Sequence, residues 1–212
     1  MNAEQVLAAR LALAALDPAL ARAHAAAPAF EWRVKAGGFA GLAGLVIEQQ
    51  VSTASAAAIW KRLQTGLGEV TAQTVLAHDI EALRALGLSG QKARYVTILA
   101  EAQLSGALDF ERLRAMDDDA AVQALTSLKG IGRWTAEAYL MGCEGRTDLF
   151  PAGDLALQEG LRLAEGAEQR LNEKALYARA EAWRPYRGVA AHLLWSYYTG
   201  VKRGVIGPAE LT

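Results

Sequence analysis

The stretch Leu128–Gln158, LKGIGRWTAEAYLMGCEGRTDLFPAGDLALQ, decides both the fold and the candidate chemistry of this chain. Its Gly-Ile-Gly segment, Gly130–Gly132, stands between two apolar runs, which predicts a tight turn that leads into a new helix. The first turn of a helix carries backbone N–H groups without acceptors inside the helix, so its start favours an anion. Lys129 and Arg133 flank this turn with no acidic residue between them, and we therefore expect the anion to be a phosphate.

The second half of the same stretch places a carboxylate at the start of another helix. Pro151 and Gly153 interrupt the chain just before Asp154, and the residues after Asp154 restart a helical pattern. An aspartate at this position is also a good N-cap, so a structural role and a chemical role are both open for Asp154. Asp148 is the rival carboxylate of the segment.

The composition predicts an all-α protein. The 212 residues are enough for one large domain or two small interlocked ones with a substantial core. The chain is 52% hydrophobic, rich in alanine and leucine and poor in β-branched runs, which favours helices over strands. The formal net charge is −1, so any binding of nucleic acid depends on a local patch rather than on the field of the whole molecule.

Metal centres, disulfides and membrane segments are not indicated. The single cysteine, Cys143, excludes a disulfide within the chain and a four-cysteine iron–sulfur cluster. The three histidines lie far apart in sequence, without metal-ligand spacing. The N-terminus lacks the basic start and short apolar core of a signal peptide, and no run is long enough to span a membrane. We therefore expect a cytoplasmic protein that is soluble and does not bind membranes.

The sequence LKGIGRWTA followed by DLFPAGD resembles the helix-hairpin-helix (HhH-GPD) DNA glycosylases, in particular the AlkA-type DNA-3-methyladenine glycosylases II. The Gly-Ile-Gly turn alone would be an ordinary connection between helices, but F-P-x-x-D at the family's spacing makes the match specific. Two other segments are similar to the family, IEQQVS at residues 47–52 and WRPYRGVAAHLLW at residues 183–195. The resemblance covers about residues 39–200.

The resemblance implies two interlocked helical subdomains, without the N-terminal sheet domain of longer relatives. We expect one glycosylase domain over residues 1–212, with a central subdomain of about residues 48–144. Residues 1–47 plus 145–212 would form the second subdomain, with the active site in the cleft between the two. A monomer is expected.

The resemblance also implies roles for individual residues. Asp154 stands at the position of the catalytic aspartate, and Trp134 and Trp195 stand where aromatic side chains stack on an extruded base. Gln50, or its neighbour Val51, would fill the gap that the base leaves in the duplex. The other implied DNA contacts come from the turn at residue 52 and from the hairpin: Ser52, Gly130, Ile131, Gly132, Arg133 and Thr135.

Three departures and one ambiguity accompany these assignments. Gly153 lies directly before the aspartate, Gln50 is the plug, and Ala138 stands where some members place an aromatic residue. The segment Gly87–Gly90 with Lys92 is either a weaker phosphate-facing turn or a serine-capped helix start, and the sequence leaves both open.

The function implied by the resemblance is a monofunctional DNA glycosylase of base excision repair. It would hydrolyse the N-glycosidic bond of alkylated bases such as 3-methyladenine and 7-methylguanine in double-stranded DNA, with Asp154 stabilising an oxocarbenium-like transition state. Bifunctional relatives place a lysine nucleophile where Trp134 stands, so no lyase activity is expected. No cofactor is expected, although hairpins of this superfamily often bind a monovalent cation.

Two alternatives of other classes remain at this point. A non-catalytic helix-hairpin-helix module would bind DNA without cleaving any bond, and Asp154 together with two tryptophans argues against it. A helical interaction domain with no DNA role fits the near-neutral charge but leaves the stretch Leu128–Gln158 unexplained.

Overall fold

The computed structural model describes residues 1–206, and these residues form helices and connecting segments without any strand. The prediction of an all-α fold is therefore confirmed. Within the described residues the α-helices, in chain order, are α1 (Ala3–Leu16), α2 (Pro18–Ala26), α3 (Gly38–Glu48), α4 (Thr53–Leu67), α5 (Ala72–Leu76), α6 (Ile80–Ala85), α7 (Gly90–Leu104), α8 (Phe110–Ala115), α9 (Asp118–Thr126), α10 (Arg133–Glu144), α11 (Leu155–Glu165), α12 (Glu173–Ala180) and α13 (Arg187–Lys202). A short 3₁₀-helix, Glu181–Trp183, follows α12.

The chain divides into two compact units. The terminal unit comprises Met1–Val34 together with the described residues from Gly145 to Ile206, and the central unit comprises Lys35–Glu144. The first boundary between the units lies at residues 34/35. From the sequence we expected it near residue 47. The reason is that α3 packs against α4, α7 and α10, all of which belong to the central unit.

Side-chain caps define where many of the helices begin. Serine and aspartate oxygens accept hydrogen bonds from first-turn N–H groups, which have no acceptor inside the helix. The N-caps of this kind include Asp17, Ser52, Asp79, Ser89, Asp109, Asp117 and Asp154. Asn172 caps the short helix α12, and the chain then tightens into the 3₁₀-helix at Glu181.

A buried carboxylate organises the core of the terminal unit. Asp17 is 3% exposed, and its Oδ1 accepts a hydrogen bond from the N–H of Ala19 at the start of α2. Its Oδ2 accepts from the indole N–H of the fully buried Trp183 at 2.8 Å and pairs with Arg179 at 2.8 Å. Because a buried charge is stable only with such partners, Asp17 fixes the segment around Trp183 against α2.

Tyr139 of α10 occupies the core of the central unit. Its ring is fully buried beside Phe110, and its hydroxyl accepts a hydrogen bond from the N–H of Gly38 at 2.9 Å. Burial raises the pKa of Tyr139, so the phenol stays neutral. This contact fixes the start of α3 against α10.

Over residues 1–206, no helix is both long and apolar enough to cross a membrane.

Candidate nucleic-acid interface and active site

The hairpin, residues Leu128–Arg133, is a tight turn that only glycine can close. The N–H of Ile131 donates to the carbonyl of Leu128 at 3.1 Å, and Gly130 has a φ of +96°. The ring of Tyr95 lies directly against Gly130, since a Cβ added at residue 130 would stand 2.4 Å from Cγ of that ring. Gly130 is therefore required both for its backbone conformation and for the close approach of Tyr95.

The hairpin exposes some of its predicted DNA contacts and buries others. Gly132 and Arg133 are exposed, and nothing lies within 4 Å of a Cβ added at Gly132. The side chains of Ile131 and Thr135 are 5% and 2% exposed, so these two residues could meet DNA only through their backbone. Arg133 pairs with the buried Glu137 one turn along α10 at 3.0 Å, which orients its guanidinium.

The plug loop, residues Glu48–Ser52, connects α3 to α4 and presents its tip to solvent. Gln49 has φ −55° and ψ 129°, and Gln50 has φ +56°. With a long hydrogen bond of 3.5 Å from the N–H of Val51 to the carbonyl of Glu48, these angles define a type II turn. Gln50 is exposed, Val51 is 38% exposed, and the hydroxyl of Ser52 caps α4.

Two side chains, Gln49 and Lys92, hold this loop through contacts that the sequence did not predict. The amide of Gln49 donates to the carbonyl of Gly130 at 3.1 Å and to the hydroxyl of Thr135 at 3.0 Å. The ammonium group of Lys92 donates to the carbonyl of Ile47 at 2.7 Å, and burial lowers the pKa of Lys92. Lys92 thus supports the end of α3. Ser89 caps α7, so of the two interpretations of residues 87–90 the structure shows the serine-capped helix start.

An apolar recess of about 400 Å³ lies in the central unit among α3, α4 and α10. Small residues open it: Gly41 and Gly44 on α3, and Ala138 and Gly142 on α10. The indole of Trp60 forms part of its wall. Ala138, where the family resemblance led us to look for an aromatic side chain, therefore contributes to an open cavity.

The terminal unit brings Asp154 and Trp195 together. Oδ1 of Asp154 accepts hydrogen bonds from the N–H groups of Ala156 at 2.8 Å and Leu157 at 3.1 Å, which makes Asp154 the N-cap of α11. The indole N–H of Trp195 donates to the same oxygen at 3.2 Å. Both side chains are half-buried. Trp134 lies in the first turn of α10 in the central unit and is also half-buried.

Asp148 is held in ion pairs within the terminal unit. Its two oxygens meet Arg187 at 3.0 Å and Arg184 at 2.8 Å. Both arginines also pair with Glu181 of the 3₁₀-helix. These contacts fix the segment around residues 181–187, which gives Asp148 a structural role.

An aromatic cluster surrounds His192 on α13. The imidazole stacks on Phe30 with ring centroids 5.6 Å apart, and it meets Trp32 and Trp195 edge-on at 4.8 Å and 5.5 Å. Burial in this cluster lowers the pKa of His192 to about 4. The histidine is therefore neutral near pH 7 and acts as an aromatic neighbour that supports Trp195.

This shift predicts a pH-dependent loss of stability. Because the pKa of His192 is lower in the folded protein than in the unfolded chain, the unfolded chain binds the proton more tightly, and stability falls as the pH decreases from 6.5 toward about 4. Between about pH 7.5 and about pH 5 the contribution is about 2 kcal/mol. Urea unfolding of the native protein and of His192→Phe over this range measures it. The variant should lose about 2 kcal/mol less on acidification, and parallel pH profiles would contradict the assignment.

Within residues 1–206, no group of three or more histidine, cysteine, aspartate or glutamate side chains is arranged to hold a metal ion.

Comparison with known proteins identifies the family. The family description of the HhH-GPD superfamily of base excision DNA repair proteins matches residues 43–185. DNA-3-methyladenine glycosylase 1 of Schizosaccharomyces pombe is 31% identical over 154 residues, which are 71% of this chain and 68% of that protein.

Solved structures show the same relationship. The S. pombe 3-methyladenine DNA glycosylase Mag1, in complex with abasic DNA, has a TM-score of 0.79 at 28% identity and covers 88% of this chain and 94% of its own. A DNA-3-methyladenine glycosidase from Bacillus halodurans has a TM-score of 0.79 at 32% identity, and the match covers 90% of this chain and 89% of that protein. The resemblance read from the sequence is confirmed, and the chain belongs to the HhH-GPD superfamily of base excision DNA repair proteins.

Proposed function

We propose that this protein is a monofunctional DNA glycosylase that releases alkylated bases, including 3-methyladenine and 7-methylguanine, from double-stranded DNA. The observation that carries the proposal is the Asp154 carboxylate, fixed at the start of α11 with the indole of Trp195 bonded to it. Proteins similar to this chain are named as DNA-3-methyladenine glycosylases, which supports the same activity. The product enters base excision repair as an abasic site.

Binding comes first, because a base inside a duplex cannot be attacked in place. The hairpin offers backbone N–H groups at the start of α10 to a DNA phosphate, a contact that positions the duplex without reading its sequence. The exposed Gln50 at the tip of the plug loop then fills the space that the base leaves, with Val51 beside it. Trp134 and Trp195 offer ring faces on which the extruded base stacks, at about 1–3 kcal/mol per base.

Cleavage of the N-glycosidic bond leaves positive charge on the sugar. The base departs with the bonding electron pair, and the negative charge of Asp154 stabilises the oxocarbenium-like sugar while water adds to its anomeric carbon and loses a proton. The N–H groups of Ala156 and Leu157 hold the carboxylate in place, so little reorganisation is needed during the reaction. Alkylation that leaves the base cationic makes it a good leaving group, so neither a metal nor an organic cofactor is required.

The same chemistry supports a monofunctional enzyme. A glycosylase that also cuts the strand needs an amine nucleophile at the sugar, and an indole at Trp134 cannot form a Schiff base. We further propose that the protein works as a monomer in the cytoplasm, associated with the nucleoid through DNA, and that the hairpin carbonyls can hold a monovalent cation.

A strand-integrity assay tests this proposal. After incubation of a methylated duplex with the native protein, the strands should stay intact until alkali treatment cleaves them at abasic sites. Borohydride should trap no covalent protein–DNA adduct. Strand breaks without alkali, or a trapped adduct, would contradict a monofunctional enzyme. Binding of the duplex without any alkali-labile site would instead identify a non-catalytic binding module, in which Asp154 serves only as a helix cap.

A further inference from the structure

The side chain of Gln49 joins two segments that are distant in sequence. Its Nε2 donates to the carbonyl of Gly130 in the hairpin and to the hydroxyl of Thr135 in the first turn of α10. A backbone carbonyl only accepts, so the amide must turn its NH₂ group toward Gly130. A single side chain therefore ties the plug loop to the hairpin.

The plug loop needs such an external support. Gln50 has a φ of +56°, a conformation that side chains other than glycine adopt at a cost. The turn's own backbone hydrogen bond, from Val51 to Glu48, is long at 3.5 Å. A strained residue persists only where the surroundings fix it, and the bonds of Gln49 are side-chain contacts that do so here.

We propose that Gln49 is a positioning residue that locks the plug loop to the hairpin, so that residue 50 is already held in its insertion geometry before DNA binds. The inference rests on the proposed function for its DNA readouts. Gln49 itself faces Gly130 and Thr135 and acts through Gln50. The contact also couples two events, because DNA that settles on the hairpin meets a plug whose position the hairpin sets.

This arrangement affects engagement of DNA more than bond cleavage. Without these hydrogen bonds, the loop becomes ordered only when it inserts into DNA. The loop then loses conformational entropy on binding, which weakens the affinity. We therefore expect that loss of the Gln49 contacts weakens the affinity for duplex DNA in which one base is missing from the stack. The rate constant of base release at saturating protein should change little, since Asp154 and its hydrogen bonds belong to the other unit.

The test uses Gln49→Met, which keeps the length of the side chain and removes the donor. The probe is a duplex with a tetrahydrofuran abasic analogue, and its dissociation constant should rise on the order of tenfold, which corresponds to the loss of two neutral hydrogen bonds. The single-turnover rate constant of base release from a methylated duplex should stay within about twofold of the native value under saturating protein. Amide hydrogen exchange of residues 50–53 in the DNA-free protein should become faster.

Gln91→Met is the matched control. Gln91 lines the same polar recess as Gln49, but its amide donates to Tyr95 and makes no bond to the hairpin. This variant should bind the abasic-analogue duplex as tightly as the native protein. A second variant, Thr135→Val, removes one of the two acceptors at nearly constant volume and should give a smaller loss of affinity than Gln49→Met. Their combination should resemble Gln49→Met alone, because both changes break the same lock.

Native-like affinity and exchange in Gln49→Met would overturn the proposal, and so would an equal loss of affinity in Gln91→Met. A lower rate constant with unchanged affinity would also overturn it. Failure of the proposed function is distinguishable, because the native protein would then release no base. The exchange of residues 50–53 in the DNA-free protein would still test the lock.

Discussion

Replacement of Asp154 by asparagine is expected to lower the single-turnover rate of base release by a factor on the order of 10²–10³. Asparagine keeps a side-chain oxygen that can accept from the N–H groups of Ala156 and Leu157, so the cap of α11 survives. It also keeps an acceptor for the indole of Trp195. The change removes the negative charge that we propose stabilises the developing oxocarbenium, and the effect should therefore fall on the chemical step.

The measurement is base release under saturating protein, together with the melting temperature and the affinity for an abasic-analogue duplex. The last two should stay close to the native values. Asp148→Asn is the matched control, because it removes the same charge from a carboxylate held by Arg184 and Arg187. That variant should lose about 2 kcal/mol of stability and keep its rate of release. Full activity in Asp154→Asn would show that another group stabilises the sugar.

Gly130→Ala is expected to destabilise the protein by about 2–5 kcal/mol, the sum of backbone strain at positive φ and overpacking. The φ of +96° is unfavourable for alanine, and the added methyl group would stand 2.4 Å from the ring of Tyr95. Relief requires a shift of the hairpin or of Tyr95. The carbonyl that Gln49 uses belongs to the same residue, so any shift also disturbs the plug loop.

Gly132→Ala, two residues away, is the control for the stability measurement. The same variant also tests whether the hairpin binds DNA. Nothing lies within 4 Å of a Cβ at Gly132, and the residue is exposed, so stability should change by less than about 1 kcal/mol. A methyl group there stands between the hairpin and an approaching phosphate, and we expect weaker DNA binding. Urea unfolding and fluorescence anisotropy of both variants separate the two roles. Equal stability of Gly130→Ala and Gly132→Ala would contradict this account of the hairpin.

The sequence predicted those parts of the fold that depend on local chemistry. The alanine- and leucine-rich composition indicated an all-α protein, and a serine-capped helix start was one of the two interpretations of residues 87–90. The glycines of the hairpin identified its turn, because positive φ is a local requirement that Gly130 meets. The prediction that Asp154 caps a helix is confirmed, since an aspartate before a helix start is a good N-cap.

Features that depend on distant partners were not predictable. The pairing of Asp148 with Arg187 joins residues 39 positions apart, and the bond from Gln49 to Gly130 spans 81 positions. Glutamine has no sequence pattern that distinguishes a half-buried side chain with distant partners from a polar surface residue, so the role of Gln49 was not predictable. The unit boundary was misplaced for the same reason, because the partners of α3 are set by tertiary packing.

We propose that the hairpin binds DNA and that Asp154 assists bond cleavage, so that this chain removes alkylated bases. The most direct measurement is chromatography of the free bases released from methylated duplex DNA by the native protein, with unmethylated duplex in parallel. We predict release of 3-methyladenine and 7-methylguanine and no release of unmodified purines. Absence of any free base from a folded protein that binds the same duplex would contradict the claim.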